Sequence, residues 1–262
     1  MTILETIIRS KRIEVAERKK LVKTADLEKS PFFQRSVFSF KQFILDPKLT
    51  GIIAEYKRRS PSRGIINDLS SVDDVAKAYA EGGASAVSIL TDEKFFGGCT
   101  TDLEKARVNQ LPLLRKDFII DEYQVLEARA MGADIILLIA ACLSPAEVSR
   151  LAQFASSLGL EILLELHDDN ELGHISEYTE VIGVNNRNLK TFEIDMEKSI
   201  RMSERIGNDR IRVAESGIKS PEDIITCRNN GFDGFLIGEL FMKENDPGAA
   251  FRTFVSTLKS LA

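Results

Sequence analysis

Cysteine and histidine are scarce in this chain of 262 residues, and both shortages exclude chemistry. The three cysteines, Cys99, Cys142 and Cys227, are odd in number and far apart. That spacing argues against a disulfide framework or a thiolate metal cage and favours a reducing, cytoplasmic setting, with the thiols as core filling. With His167 and His174 as the only imidazoles, a metal site would need mainly oxygen ligands, and no cluster of that kind is present. No apolar run approaches the length that crosses a bilayer. The first twenty residues interleave Glu5, Arg9, Lys11, Arg12, Glu14, Glu17 and Arg18 with apolar positions at helical spacing, without the unbroken apolar centre of a secretory signal. Positive charge is not in excess either. At a formal net charge of -5 nucleic acid gains no general attraction, so an anionic ligand must be held by cations placed locally.

What is present is a repeated alternation. The chain is 44% hydrophobic, enough for a large core in two small domains or one barrel. From residue 51 onward short β-branched runs alternate with segments of helical period. The candidate strands are 51–56, 86–90, 112–115, 135–139, 161–164, 181–184, 211–214 and 234–237. Ser144-Pro145-Ala146-Glu147 and Asp121-Glu122-Tyr123-Gln124 read as capping boxes, and Ser220-Pro221-Glu222-Asp223 puts proline in a first helical turn. Eight strand–helix units predict a single (β/α)₈ TIM barrel over residues 1–262, a fold that typically needs ~250 residues. An open doubly wound sheet shares the alternation, but its glycine-rich GxGxxG turn is absent. Residues 1–50 precede the barrel as a helical extension, expected to cover apolar surface at one barrel end.

Polar groups recur where the strands stop. Period-two alternation aligns Glu55 with Lys57, Leu114 with Lys116 and Phe118, Leu163 with Glu165, and Asn185 with Arg187. In a barrel the C-terminal strand ends form the active site, so inward-facing sides would build a pocket rich in amines and carboxylates. A lysine and a glutamate at close range, partly desolvated, can move a proton near neutral pH. After the seventh and eighth strands, Glu215-Ser216-Gly217 and Ile237-Gly238-Glu239 occupy the positions where barrels bind phosphate. Gly217 and Gly238 would admit close backbone approach, or simply make turns. Ser60-Pro61-Ser62-Arg63-Gly64 after the first strand supplies hydroxyls and cations in a potential lid. Phe95 and Phe118 are candidates to line a flat ring pocket, with Phe96 packing beneath the loop. His167 and His174, with Asp168 and Asp169, fall at the start of the helix after the fifth strand, where capping is expected before metal binding.

Taken together, Ile53-Ala54-Glu55-Tyr56-Lys57-Arg58-Arg59-Ser60-Pro61-Ser62, Leu90-Thr91-Asp92-Glu93-Lys94-Phe95-Phe96, Leu114-Arg115-Lys116-Asp117-Phe118, Glu165-Leu166-His167, Asn185-Asn186-Arg187-Asn188-Leu189 and Glu215-Ser216-Gly217-Ile218 resemble the indole-3-glycerol-phosphate synthase family. The likeness runs from Leu4 to about Met242, and several motifs in one order make it specific. The resemblance implies ring closure, decarboxylation and dehydration of a carboxyphenylamino deoxyribulose phosphate in tryptophan biosynthesis. It implies no cofactor, a phosphorylated small-molecule substrate, no nucleic acid or membrane partner, and a monomer or weak homodimer. It carries the general-acid role to Lys116, with room to share it with Lys57, and later proton removal to Glu165, with Glu55 assisting. Asn185 and Arg187 would orient the substrate beside Ser60, Phe95, Phe118 and Glu215, while Ser216, Gly217 and Gly238 would face the phosphate. Glu239 departs from the serine common in the family and is expected to point away from the anion. Other sugar-phosphate barrels, an isomerase or a Schiff-base aldolase, and a non-catalytic phosphometabolite-binding barrel remain as alternatives.

Overall fold

In the computed structural model, which describes residues 2–187 and 193–261, the apolar runs are strands buried on both faces. Such double burial is what their nearly continuous hydrophobic composition requires. The strands are β1 (Ile52–Tyr56), β2 (Ala86–Leu90), β3 (Leu113–Lys116), β4 (Ile135–Ile139), β5 (Glu161–Leu166), β6 (Val181–Asn185), β7 (Ile211–Glu215) and β8 (Gly234–Ile237). They close in the order β1-β8-β7-β6-β5-β4-β3-β2, and every pair in the barrel is parallel. The (β/α)₈ barrel is therefore the fold, and the open sheet is excluded. Strands β3, β5, β6 and β7 run further than expected and take in Lys116, Glu165, Asn185 and Glu215. Strand pairing uses the backbone, so a polar side chain pointing into the mouth does not end the ladder.

Alternation divides the core in two. Ile53, Leu114, Ile135, Leu137, Leu163, Val213 and Leu236 fill the barrel interior, while Ile52, Ala54, Leu113, Ile136, Leu164 and Ile182 face outward against the helices. Ser144 with Glu147 forms the expected reciprocal cap, and Pro221 stands in the first turn of its helix as expected, with Asp223 accepting from Ser220 N. Asp121 accepts from Tyr123 N, but the Gln124 side chain does not return to its cap. It accepts instead from Ile120 N and donates to Phe118 O, fastening the turn after β3. Core filling by cysteine holds for Cys227, while Cys142 is half-buried and Cys99 is exposed.

The first fifty residues reach both ends of the barrel rather than one. Helix α2 (Phe40–Ile44) inserts Phe40 and Ile44 into the inner core at the N-terminal end, beneath Ile53, Ile135 and Val181. Nearby, buried Asp134 accepts from Arg35 and Arg107 and from Phe38 N, tying the extension to the barrel floor. Helix α1 (Ile3–Leu21), with a Thr2–Glu5 capping box, lies at the opposite end. Its Lys11 is 1% exposed and sits 2.9 Å from each of Glu14, Asp92 and Asp117, the last two in the loops after β2 and β3. Arg18 and Lys19 continue the attachment through Glu127 and Asp121.

Candidate active site

Parallel register brings the polar strand ends to one height. Leu90 pairs with Lys116, Ile139 with Glu165, and Asn185 with Glu215. The inward side chains then meet across the mouth, where they line a cavity of about 260 Å³. Lys116 Nζ lies 2.9 Å from Glu165 Oε2 and 3.3 Å from Glu215 Oε2. Lys57 Nζ lies 2.6 Å from Glu55 Oε1. Asn185 Nδ2 donates to Glu165 Oε1 at 3.2 Å, while its Oδ1 accepts from Arg187 N at 3.0 Å. Ser60, Asn185, Arg187, Ser216, Gly217 and Gly238 complete the cavity wall. In the Asn185–Leu189 motif, Asn188 and Leu189 lie outside the described residues.

The charges in this cluster set one another's protonation. Burial alone would lower the Lys116 amine, but Glu165, Glu215 and Glu55 outweigh it and hold the ammonium form above the ordinary lysine range. Burial likewise opposes ionisation of Glu165, yet Lys116 and His167 keep that carboxyl well below its usual range. For Glu215 burial wins: with Glu165 repelling a second negative charge, its carboxyl is pushed up to about 8 despite the nearby Lys116. One carboxylate is thus ionised at neutral pH and the other carries a proton, with an ammonium between them. Environments that drive two acids apart in this way provide a base and a proton store in one site.

Two glycines make room for the acids. A Cβ on Gly183 would fall 2.1 Å from Glu215 Oε1, and one on Gly238 would fall 2.6 Å from Glu55 Oε1. Both carboxylates therefore lie over positions that admit no side chain. At the end of β7, Ser216 has φ 66°, the only positive value for a non-glycine among the described residues, and Gly217 follows at 82°. Buried Asn186 holds this turn by donating to Ser216 O at 2.6 Å. A left-handed serine is costly, and such strain concentrates at binding sites.

Several placements were not legible in the sequence. Phe96, rather than Phe95, lines the cavity, and its ring lies 6.0 Å from that of Phe118. The residues belong to a single helical turn, Glu93–Phe96, capped by Asp92. Successive side chains on a helix point about 100° apart, and Phe95 turns instead toward Lys94. Ile3, Leu4 and Ile7 of α1 add an apolar wall, whose signal was the apolar stripe of that helix. The segment after β1 is a small hairpin, pairing Arg59 with Ile65 and Ser60 with Gly64. Arg58 grips Asp102, and Arg59 caps Glu93 O and Lys94 O. Glu239 lies on the cavity rim and is ion-paired with Arg63 at 3.0 Å. Asp168, not a histidine, caps the 3₁₀ turn Asp169–His174, and His167 turns toward Glu165. The described residues contain no group of three or more acidic, histidine or cysteine side chains arranged to hold a metal ion. None of their helices is long and apolar enough to cross a membrane.

Solved structures share this architecture at low sequence identity. Tryptophan synthase subunit alpha from Legionella pneumophila superposes with a TM-score of 0.62 at 13% identity, over 84% of this chain and 97% of that one. The chain from the Pyrococcus furiosus tryptophan synthase complex gives 0.60 at 15% identity, over 80% and 97%. These similarities speak to the barrel alone. Sequence relatives go further: proteins called indole-3-glycerol phosphate synthase from Bacteroides thetaiotaomicron and from Acidovorax sp. are 45% and 42% identical. The first covers 98% of this chain and 99% of its own length, the second 95% and 97%. The model of that family matches residues 4–254, a span that takes in all but the first residue of α1 and all eight barrel strands. With nearly full-length relatives and a single family model over the whole barrel, the chain belongs to the indole-3-glycerol phosphate synthase family.

Proposed function

We propose that this chain closes the pyrrole ring of 1-(2-carboxyphenylamino)-1-deoxyribulose 5-phosphate, releasing carbon dioxide and water to give indole-3-glycerol phosphate in tryptophan biosynthesis. The observation that carries the site assignment is the Glu165–Lys116–Glu215 cluster at the barrel mouth. Attack of the aromatic carbon on the ribulose carbonyl requires a polarised oxygen, and the Lys116 ammonium supplies both the charge and the proton. Loss of the ring carboxylate as carbon dioxide restores aromaticity. Dehydration then needs the new hydroxyl protonated and a carbon-bound proton removed, the latter by ionised Glu165. Glu215 adds a second proton source, and the Glu55–Lys57 pair can relay charge on the opposite side of the mouth.

Asn185 and Arg187 orient the substrate, Ser60, Phe96 and Phe118 bound its ring, and the Ser216–Gly217 turn with Gly238 receives the phosphate. At Gly238 a short helix begins, and the first N–H groups of a helix lack intrahelical acceptors. A Schiff-base aldolase needs an amine that readily loses its proton. Lys116, held between carboxylates as an ammonium, is the wrong group for that role. We also place the chain in the cytoplasm as a monomer or weak homodimer, consistent with its unpaired thiols. Sedimentation at several concentrations tests the oligomeric part. For the activity, purified protein mixed with the carboxyphenylamino substrate should produce indole fluorescence stoichiometric with substrate consumed. Substrate binding without indole would sink the catalytic reading, and borohydride trapping of a lysine adduct would favour an aldolase.

A further inference from the structure

His167 is used by none of the chemistry above, yet it is one of the two imidazoles in the chain and lies against the proposed base. It follows directly after the end of β5 at Leu166, two residues past Glu165, and does not line the cavity. Its Nε2 is 3.0 Å from Glu165 Oε1, and its Nδ1 is 3.8 Å from Glu171 Oε2. Neither ring nitrogen makes a hydrogen bond, so the interaction is mainly one of charge. Glu171 also accepts from His167 N at 2.6 Å, which fixes the acid under the ring. From the helix Met196–Ser203, Lys198 Nζ donates to His167 O and to Asp168 Oδ2, holding the backbone rather than the imidazole. Beyond Glu165 stand Lys116 and Glu215, and the Cys142 thiol near Glu165 and Glu171 stays protonated, pushed up to about 12 chiefly by burial.

We propose that His167 is a positioning residue: its imidazolium, seated between Glu171 and Glu165, pins one oxygen of Glu165 and keeps that carboxylate ionised while the other oxygen faces Lys116. The five groups form an alternating row, Glu171, His167, Glu165, Lys116 and Glu215, in which each charge is flanked by its opposite or by a neutral acid. Without the imidazolium, Glu165 would keep Lys116 on Oε2 and Asn185 on Oε1, but its negative charge would be balanced from one side only. Burial would then push its carboxyl upward. In keeping with the arrangement, burial favours neutral imidazole, but Glu165 and Glu171 overcome it and raise the ring to about 9. The proposal rests on the reading of Glu165 as the base, and the tests separate the two.

In H167N the acid limb of kcat/KM, which reports ionisation of the base in the free enzyme, should move up by about one pH unit. We expect kcat to fall about ten- to a hundredfold, as for outer partners of other site groups, with KM nearly unchanged. E171Q should move the limb in the same direction by less. An unmoved acid limb in H167N, with E165Q inactive, would overturn the role of His167 and leave that of Glu165 standing. Turnover near wild type in E165Q would instead remove the base itself. Should H167N fail to fold, imidazole ¹⁵N spectra of the wild-type protein decide, with H174N assigning the two rings. His167 should be protonated at pH 7 and titrate near 9, and E165Q should lower that midpoint, since coupling between two protonation sites is reciprocal. A neutral His167 ring at pH 7 would overturn the proposal outright.

Discussion

Replacing Lys11 with methionine tests how the extension holds the active site. Lys11 shares a helix face with Ile3, Ile7 and Val15, spaced at one residue per turn, and Ile7, Lys11 and Val15 are buried. Three carboxylates meet its ammonium at 2.9 Å, of which Asp92 and Asp117 are themselves buried. Methionine matches the length and removes the charge, leaving two buried acids short of one cation. Breaking a buried pair from one side costs roughly 3–5 kcal/mol. The lower end applies because Asp117 keeps Arg115 and the Thr91 hydroxyl, and Asp92 keeps Phe95 N. About 3 kcal/mol corresponds to a fall in Tm of about 6–12 °C for a chain of this size.

Urea and thermal unfolding of Lys11→Met measure that loss. Adding Asp92→Asn should restore part of it, because asparagine caps a helix as well as aspartate does and removes one uncompensated charge. Lys11 and Arg115 also hold the Asp117 carboxyl below the ordinary range against burial. A depressed acid adds stability above its unfolded value near 3.9 that is lost as pH falls, so the variant should show a shallower loss of stability in acid. KM should rise, since Ile3 and Ile7 of the loosened helix wall the cavity. A cost below about 1 kcal/mol, the range of exposed pairs, together with an unchanged KM, would refute the claim that this buried lysine anchors the site.

Lys116→Ala and Glu165→Gln should each lower turnover by roughly two to four orders of magnitude while the fold persists; near-normal rates in circularly dichroic, folded variants would remove both from the chemistry. Gly183→Ala drives a methyl group onto Glu215 Oε1, so a large loss of kcat is expected without loss of the barrel, and a crystal structure should show Glu215 displaced. For Glu215 the folded carboxyl, raised to about 8 chiefly by burial, binds a proton more readily than the unfolded one at about 4.3. Its stabilising contribution is complete below the unfolded value and falls as pH rises to about 8. Glu215→Gln should therefore gain stability relative to wild type between pH 5 and 8.5 in urea titrations, and a pH-independent difference would contradict the buried, protonated acid.

Much of the barrel was legible because its determinants are local. Strands buried on both faces are written as short β-branched runs, and period two sorts their residues into inner and outer layers whatever the rest of the chain does. The same parity put Glu55, Lys116, Glu165 and Asn185 on inward faces at the strand ends, where the structure has them. Phe95 and Phe96 show where this reasoning stops: a one-turn helix interrupts the alternation, and neighbouring residues exchange faces. His167 shows another limit, since a histidine beside two aspartates reads as a helix start, while its contact with Glu165 depends on the bend of the chain after β5.

Amphipathic spacing foretold that α1 has a buried stripe, and composition said only that an anionic ligand would have to be held by cations placed locally rather than by a global field. Only the closed structure decided that the stripe carries a lysine against Asp92 and Asp117, that the extension reaches both barrel ends, and that Gly183 and Gly238 are the spaces into which Glu215 and Glu55 fit. Periodicity depends on a residue and its immediate neighbours. Protonation and fit depend on distances between strands far apart in the chain, and those are set by register and closure of the barrel.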